Sequence, residues 1–210
     1  MQINKQTLST FDRFYRANLI NSLSGFKPAS LIGTADELGR TNLAIFSNIV
    51  HLGADPALVG FVNRPIEAAP HTLSNILQTD WYTINLIPSS LAAKAHQTSA
   101  KYEQGESEFD AVGLTPQWEE GIPAPFVQEC QIKYAVMLKE IIPIKWNKTF
   151  FVIGSIEQVI IPDSITEEDG FLSLEKADTI CSLGIDGYYL PQKISRLSYA
   201  KPNNKAEVIR

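Results

Sequence analysis

The sequence predicts a mainly β fold, an antiparallel barrel with helices packed outside it. Strand-like runs outnumber helical ones, two of them in the second half of the chain are long, and turn residues separate the runs at short spacing. Closure of such a sheet removes the open edges that otherwise invite aggregation.

Taken in chain order, a first helix is expected from about Thr10 to Asn21. Ser9 or Thr10 would serve as its cap, and Phe14, Ala17 and Leu19 are among its apolar positions. Strands are expected at 30–34, 42–50, 58–63 and 81–87, with Gly39 marking the first turn. The run HTLSNILQ carries Leu73, Ile76 and Leu77 at helical spacing after Pro70, which predicts a helix with Thr72 as N-cap. His96, in SLAAKAHQTSAKY, falls on a helix surface. In QIKYAVML, Ile132, Tyr134, Val136 and Leu138 alternate with Lys133 and less apolar neighbours, so one face is buried. TFFVIGSIEQVII reads as its mostly buried partner, with Pro143 and Asn147 in the connection.

Composition bounds the function. A chain of 210 residues with 44% hydrophobic content can bury a sizeable core, and no linker-like stretch or repeat divides it, so 1–210 reads as one domain. A formal net charge of −5 without a basic cluster argues against nucleic acid or an anionic membrane surface as partner. The acidic run from Glu103 to Asp110 reads as a solvated loop. The polar start MQINKQTLSTFDRFYR lacks an apolar leader core and no run is long enough to span a bilayer, which predicts a cytoplasmic protein. Cys130 and Cys181 lack C-x-x-C spacing and read as thiols, and His51, His71 and His96 lack neighbouring ligands, so no metal site is expected.

Two patches carry chemistry. Backbone N–H groups at a helix start have no intrahelical partner and sit at the positive end of the dipole, so the His71–Thr72 start suits a phosphate. Thr72 adds a hydroxyl, His71 an imidazole donor, and Arg64, after the apolar run ALVGFV, a guanidinium fork. The same residues also describe a capped helix with a surface arginine and a solvated histidine, and the residues alone do not separate the two readings. In NLAIFSN, Asn42, Ser47 and Asn48 offer groups that can read the edge of a polar heterocycle, while Ala44 lets a flat ring approach the backbone. An ordinary strand with Leu43, Ile45 and Phe46 in the core is the plainer reading.

The order FKPASLIGT, ADELGR, TNLAIFS, DPALVGFVNRP, PHTLSNI and WYTINL, followed by SEFDAVGLTP and LGIDGYY, resembles the flavin reductase-like family of FMN-binding split barrels. The likeness spans roughly residues 26 to 202 and implies a Greek-key-like antiparallel split barrel with its core at about 26–162. It further implies FMN as cofactor, with Asn42, Ala44, Phe46 and Ser47 against the ring and ribityl chain, and Arg64, His71 and Thr72 on the phosphate. Asn48 joins this set from its own chemistry. There are departures: Ile45 stands where many members have proline, Asn48 where an aromatic is common, EAAP lacks a frequent lysine, and Lys27 replaces a frequent arginine. Phosphate binding then rests more heavily on Arg64. Tyr188 and Tyr189 are read as packing residues.

No G-x-G-x-x-G fingerprint is present, so NADH or NADPH would dock transiently over the flavin rather than on a Rossmann domain. The flavin carries the chemistry and no side chain is assigned as catalytic. The implied activity is a flavin reductase acting on small-molecule substrates, the other reading an FMN-binding electron-transfer protein without efficient NAD(P)H chemistry. The family likeness also implies a homodimer.

Overall fold

The computed structural model describes residues 1–68, 70–103 and 105–209. Helices α1 (Lys5–Thr10) and α2 (Arg13–Leu23) lead into strands β1 (Lys27–Pro28), β2 (Ser30–Ala35), β3 (Thr41–Phe46), β4 (Val50–Ala54) and β5 (Ala57–Asn63). Helix α3 (Pro70–Thr79), strand β6 (Trp81–Leu86) and helices α4 (Ala92–Gln97) and α5 (Glu108–Val112) follow. The rest is β: β7 (Pro116–Glu119), β8 (Ile122–Val127), β9 (Lys133–Ile144), β10 (Thr149–Ile160), β11 (Cys181–Leu183), β12 (Gly187–Tyr189), β13 (Arg196–Leu197) and β14 (Val208–Ile209).

Seven strands form one antiparallel sheet in the order β3-β2-β6-β9-β10-β5-β4. Its two edge strands, β3 and β4, are consecutive in the chain and joined by residues 47–49. The sheet therefore rolls up until its edges are a few residues apart, yet they do not pair, and the barrel is split there. The inside is filled by Ile32, Phe61, Tyr82, Ile84, Val136 and Val152, and α3 plugs it with Leu73 and Ile76. A second cluster outside joins Leu31 and Leu43 of the sheet to Ala95 of α4 and Phe109 of α5. β2 is thus covered on both faces and buried along its whole length. At Gly33 a Cβ would lie 2.2 Å from the Pro125 carbonyl oxygen, so only glycine lets β8 lie this close to β2.

Within the fold the structure differs from the sequence reading at several places, among them the strand Thr149–Ile160, which is half-buried along most of its length rather than mostly buried. The expected helix over 10–21 is two helices, because the Asp12 carboxylate accepts from the N–H groups of Phe14 and Tyr15 at 2.8 and 3.2 Å and starts α2 itself. The hydroxyls of Ser9 and Thr10 instead donate back to the carbonyls of Gln6 and Thr7. The expected strand over 42–50 breaks after Phe46, where the chain crosses the split. Pro143 lies within β9, opposite Phe150. The pairing of β9 with β6 ends at Met137, so the missing N–H faces an unpaired edge. Lys133, expected on the solvent side, is buried because the β7–β8 hairpin covers that face. Its ammonium donates to Gln117 Oε1 at 2.6 Å and to the carbonyls of Val127 and Gln128 at 3.0 and 3.3 Å. Burial pushes its pKa down.

Candidate functional site

Alternation along β3 sorts its residues. Leu43 and Ile45 enter the outer cluster, which leaves Asn42, Ala44 and Phe46 on the inward face. Phe46 meets Phe61 edge to face with ring centres 5.0 Å apart. Ala44 and Ser47 are partly accessible at the split. Asn48 serves the framework, since its Nδ2 donates to the Val62 carbonyl at 2.9 Å and its Oδ1 accepts from the Val62 N–H at 3.2 Å. The side chain pairs with β5 as another strand would, across the gap left where β3 ends.

At the same end of the barrel lies the start of α3. The helix begins at Pro70, so Thr72 is its third residue and not its N-cap as expected. Proline at the first position has no N–H to lose, and the N–H groups of the next residues are the ones that helical geometry leaves without intrahelical partners. Thr72 is buried, and its hydroxyl accepts from Asn42 Nδ2 at 3.1 Å. A parallel tie runs from Asn75 Nδ2 to Thr34 Oγ1 at 3.1 Å. Polar residues at this end of the barrel are thus buried because they pin the helix to the sheet. The two patches identified in the sequence are joined by the Asn42–Thr72 bond. His71 and Asn42 line a cleft of about 230 Å³, together with Asp36, Arg40, Ser74 and Asn75.

Arg64 is exposed at the end of β5, makes no ion pair among the described residues and does not line that cleft. Its neighbour Asn63 is fully buried, donates through Nδ2 to the Arg64 carbonyl at 2.8 Å and leaves Oδ1 buried with no partner among the described residues. Asn63 shares the inward face of β5 with Phe61, two residues before it. A buried acceptor with no donor costs about 1–3 kcal/mol, a deficit that a ligand hydroxyl or N–H would remove. A helix start, whose first N–H groups have no intrahelical partner, and the buried Asn63 acceptor fit a ligand that carries both an anion and hydrogen-bond donors, with Arg64 exposed in the segment that leads from β5 to α3.

The acidic run 103–110 is not simply a solvated loop. Gln104 lies outside the described residues, but Glu108 opens α5 and is only 6% exposed. Its Oε2 accepts from the Leu43 N–H at 2.8 Å, and the hydroxyls of Thr41 and Ser107 share a hydrogen bond of 2.6 Å beside it. Burial raises the carboxyl above its ordinary pKa; the Leu43 N–H and the nearby His71 pull it back down. The sequence signal for this residue is the apolar Phe109 beside it, which drags the start of the helix into the outer cluster. Tyr188, read as packing, donates to or accepts from His96 Nδ1 at 2.8 Å, and Tyr189 stacks edge-on against Phe26. Cys130 is a buried free thiol pushed up to about 12 by burial, and Cys181 is free and half-buried.

Comparison with known proteins places these features in a family. The model of the flavin reductase like domain matches residues 25–178. A split-barrel protein from Shewanella frigidimarina NCIMB 400, assigned as a flavin reductase, is 47% identical and superposes with a TM-score of 0.92 over 95% of this chain and 100% of its own. Component B of nitrilotriacetate monooxygenase from Bacillus cereus has a TM-score of 0.82 at 20% identity, covering 94% of this chain and 98% of its own. Flavoredoxin of Desulfovibrio vulgaris (Miyazaki F) has a TM-score of 0.70 at 23% identity, covering 85% and 92%.

Proposed function

The chain belongs to the flavin reductase-like family, and from that premise we propose that it binds FMN and is a flavin reductase drawing hydride from NADH or NADPH. One observation carries the reading: Asn42, proposed for the ring side, and Thr72, proposed for the phosphate side, are hydrogen-bonded to each other, so the two proposed halves of the site would meet at one end of the barrel. The start of α3 and His71 would hold the phosphate, with Arg64 swinging in from the end of β5. Asn63 Oδ1 would accept from a donor on the ligand. Ala44, Phe46 and Ser47 would support the ring, and Asn48 would hold the wall behind it.

Bound FMN would supply the redox chemistry at its ring. The protein's share is to bind, orient and partly cover it, and no side chain is assigned proton transfer. The absence of a G-x-G-x-x-G fingerprint supports a nicotinamide that docks over the flavin and binds weakly. The likeness to a Shewanella protein assigned as a flavin reductase supports the same reading. Two free thiols support a reducing, cytoplasmic setting.

The test is an absorbance spectrum of the purified protein with FMN, followed by anaerobic mixing with NADH or NADPH. Loss of the flavin band within seconds is expected. If dithionite bleaches the band and neither nucleotide does, the protein is an FMN-binding electron carrier. If no flavin binds, the barrel serves another purpose.

A further inference from the structure

Glu108 is a buried carboxylate to which the FMN reading gives no role. Burying it has a cost, since desolvation disfavours its charge. What it touches shows what the cost secures. β3 is an edge strand, paired only with β2, and the Leu43 N–H points to the open side. An open edge leaves N–H and C=O groups unpaired and the strand free to shift. The start of α5 closes it: Glu108 Oε2 takes the Leu43 N–H at 2.8 Å, and Ser107 holds the Thr41 hydroxyl at 2.6 Å. The helix that carries both is itself fixed, by Phe109 in the outer cluster and by Gly113, whose φ of 66° ends the helix in the left-handed conformation.

Leu43 lies between Asn42 and Ala44, which face the other way, into the proposed ring site. We propose that Glu108 is a positioning residue for the flavin: by locking the outer edge of β3 through Leu43, it sets where Asn42 and Ala44 stand against the ring. The role rests on the FMN reading and deepens it. It also explains why the ring side and the phosphate side keep one geometry, because Asn42, held from behind, is the residue that ties β3 to Thr72 of α3.

The test compares the wild-type chain with Glu108→Ala and Glu108→Gln, measuring affinity for FMN and for riboflavin, the visible circular dichroism of the bound flavin, and hydrogen exchange at the Leu43 amide. A glutamine keeps an acceptor oxygen for Leu43, whereas alanine removes it. Glu108→Ala should weaken both flavins by a similar factor, about tenfold or more for a lost hydrogen bond to a charged group, and should change the dichroic band and speed exchange at Leu43. Glu108→Gln should return affinity to within about threefold of wild type. If the alanine variant does not fold, Glu108→Asp, one methylene too short to reach, should give the same equal loss. Unchanged affinity with faster exchange at Leu43 overturns the proposal, as does a loss confined to FMN, which would mean an effect on the phosphate through His71. Wild type that binds neither flavin refutes the FMN reading itself, before any variant is made.

Discussion

At the scale of single residues, the side chains proposed for the phosphate differ in how firmly the fold holds them. Thr72 is buried and bonded to Asn42, and His71 is half-buried on the same helix. Arg64 is exposed. An arginine that must give up rotamer freedom in water gains less than a buried one, so its contact with phosphate belongs near the lower end of charge-assisted bonds. Arg64→Ala should therefore weaken FMN by about 1.5 kcal/mol, roughly tenfold, and leave riboflavin unchanged. Titration calorimetry with both ligands checks this. Equal losses on the two flavins would remove Arg64 from the phosphate site.

At the scale of elements, α5 is only five residues long and matters more than its length suggests, because it brings a carboxylate to the edge of β3. Since burial raises the Glu108 pKa above its ordinary 4.5, the native state holds that proton more tightly than the unfolded chain does. Between 4.5 and the raised value the native state binds more protons, so the contribution of Glu108 to stability falls as pH rises through that window and is level above it. The groups coupled to it are His71 on α3 and Glu106 in the preceding loop. Carboxylates with lowered values, such as the half-buried Asp36 and the exposed Asp169, push the opposite way, but equally in a variant. Melting temperatures of wild type minus Glu108→Gln should accordingly decline from acid pH toward neutrality. A difference that rises with pH would mean that the carboxylate is stabilised as the anion.

At the scale of the whole molecule, the surface carries large apolar side chains that a lone barrel has no use for. Val50 and Leu52 on the edge strand β4 are 44% and 42% exposed, and Trp146 at the β9–β10 turn is 99% exposed. Beyond the barrel, Ile194 and Tyr199 are 98% and 88% exposed. Such surface is what a stable interface covers, with roughly 800 Å² buried on each partner. The protein should run as a homodimer, and light scattering should give twice 23.3 kDa. A mass of 23.3 kDa at micromolar concentration with FMN bound would refute the dimer.

The strand-rich architecture is legible in the sequence, because the period-two run KYAVML marks an apolar strand face and TFFVIGSIEQVII is apolar over the length of a strand. The sequence also marked Asn42, Ala44, His71 and Thr72, since the residue types at a polar strand and a helix start carry their chemistry locally. It could not show that Asn42 bonds to Thr72, thirty positions away, or that Asn48 pairs with Val62. Those contacts exist only once the sheet has rolled up. Lys133 and Glu108 defeat a local reading for the same reason: charge in a short window predicts solvent, and only the β7–β8 hairpin over one and the outer cluster around the other remove it. Local pattern fixes which face of an element is apolar, whereas the tertiary structure decides what comes to cover the polar side.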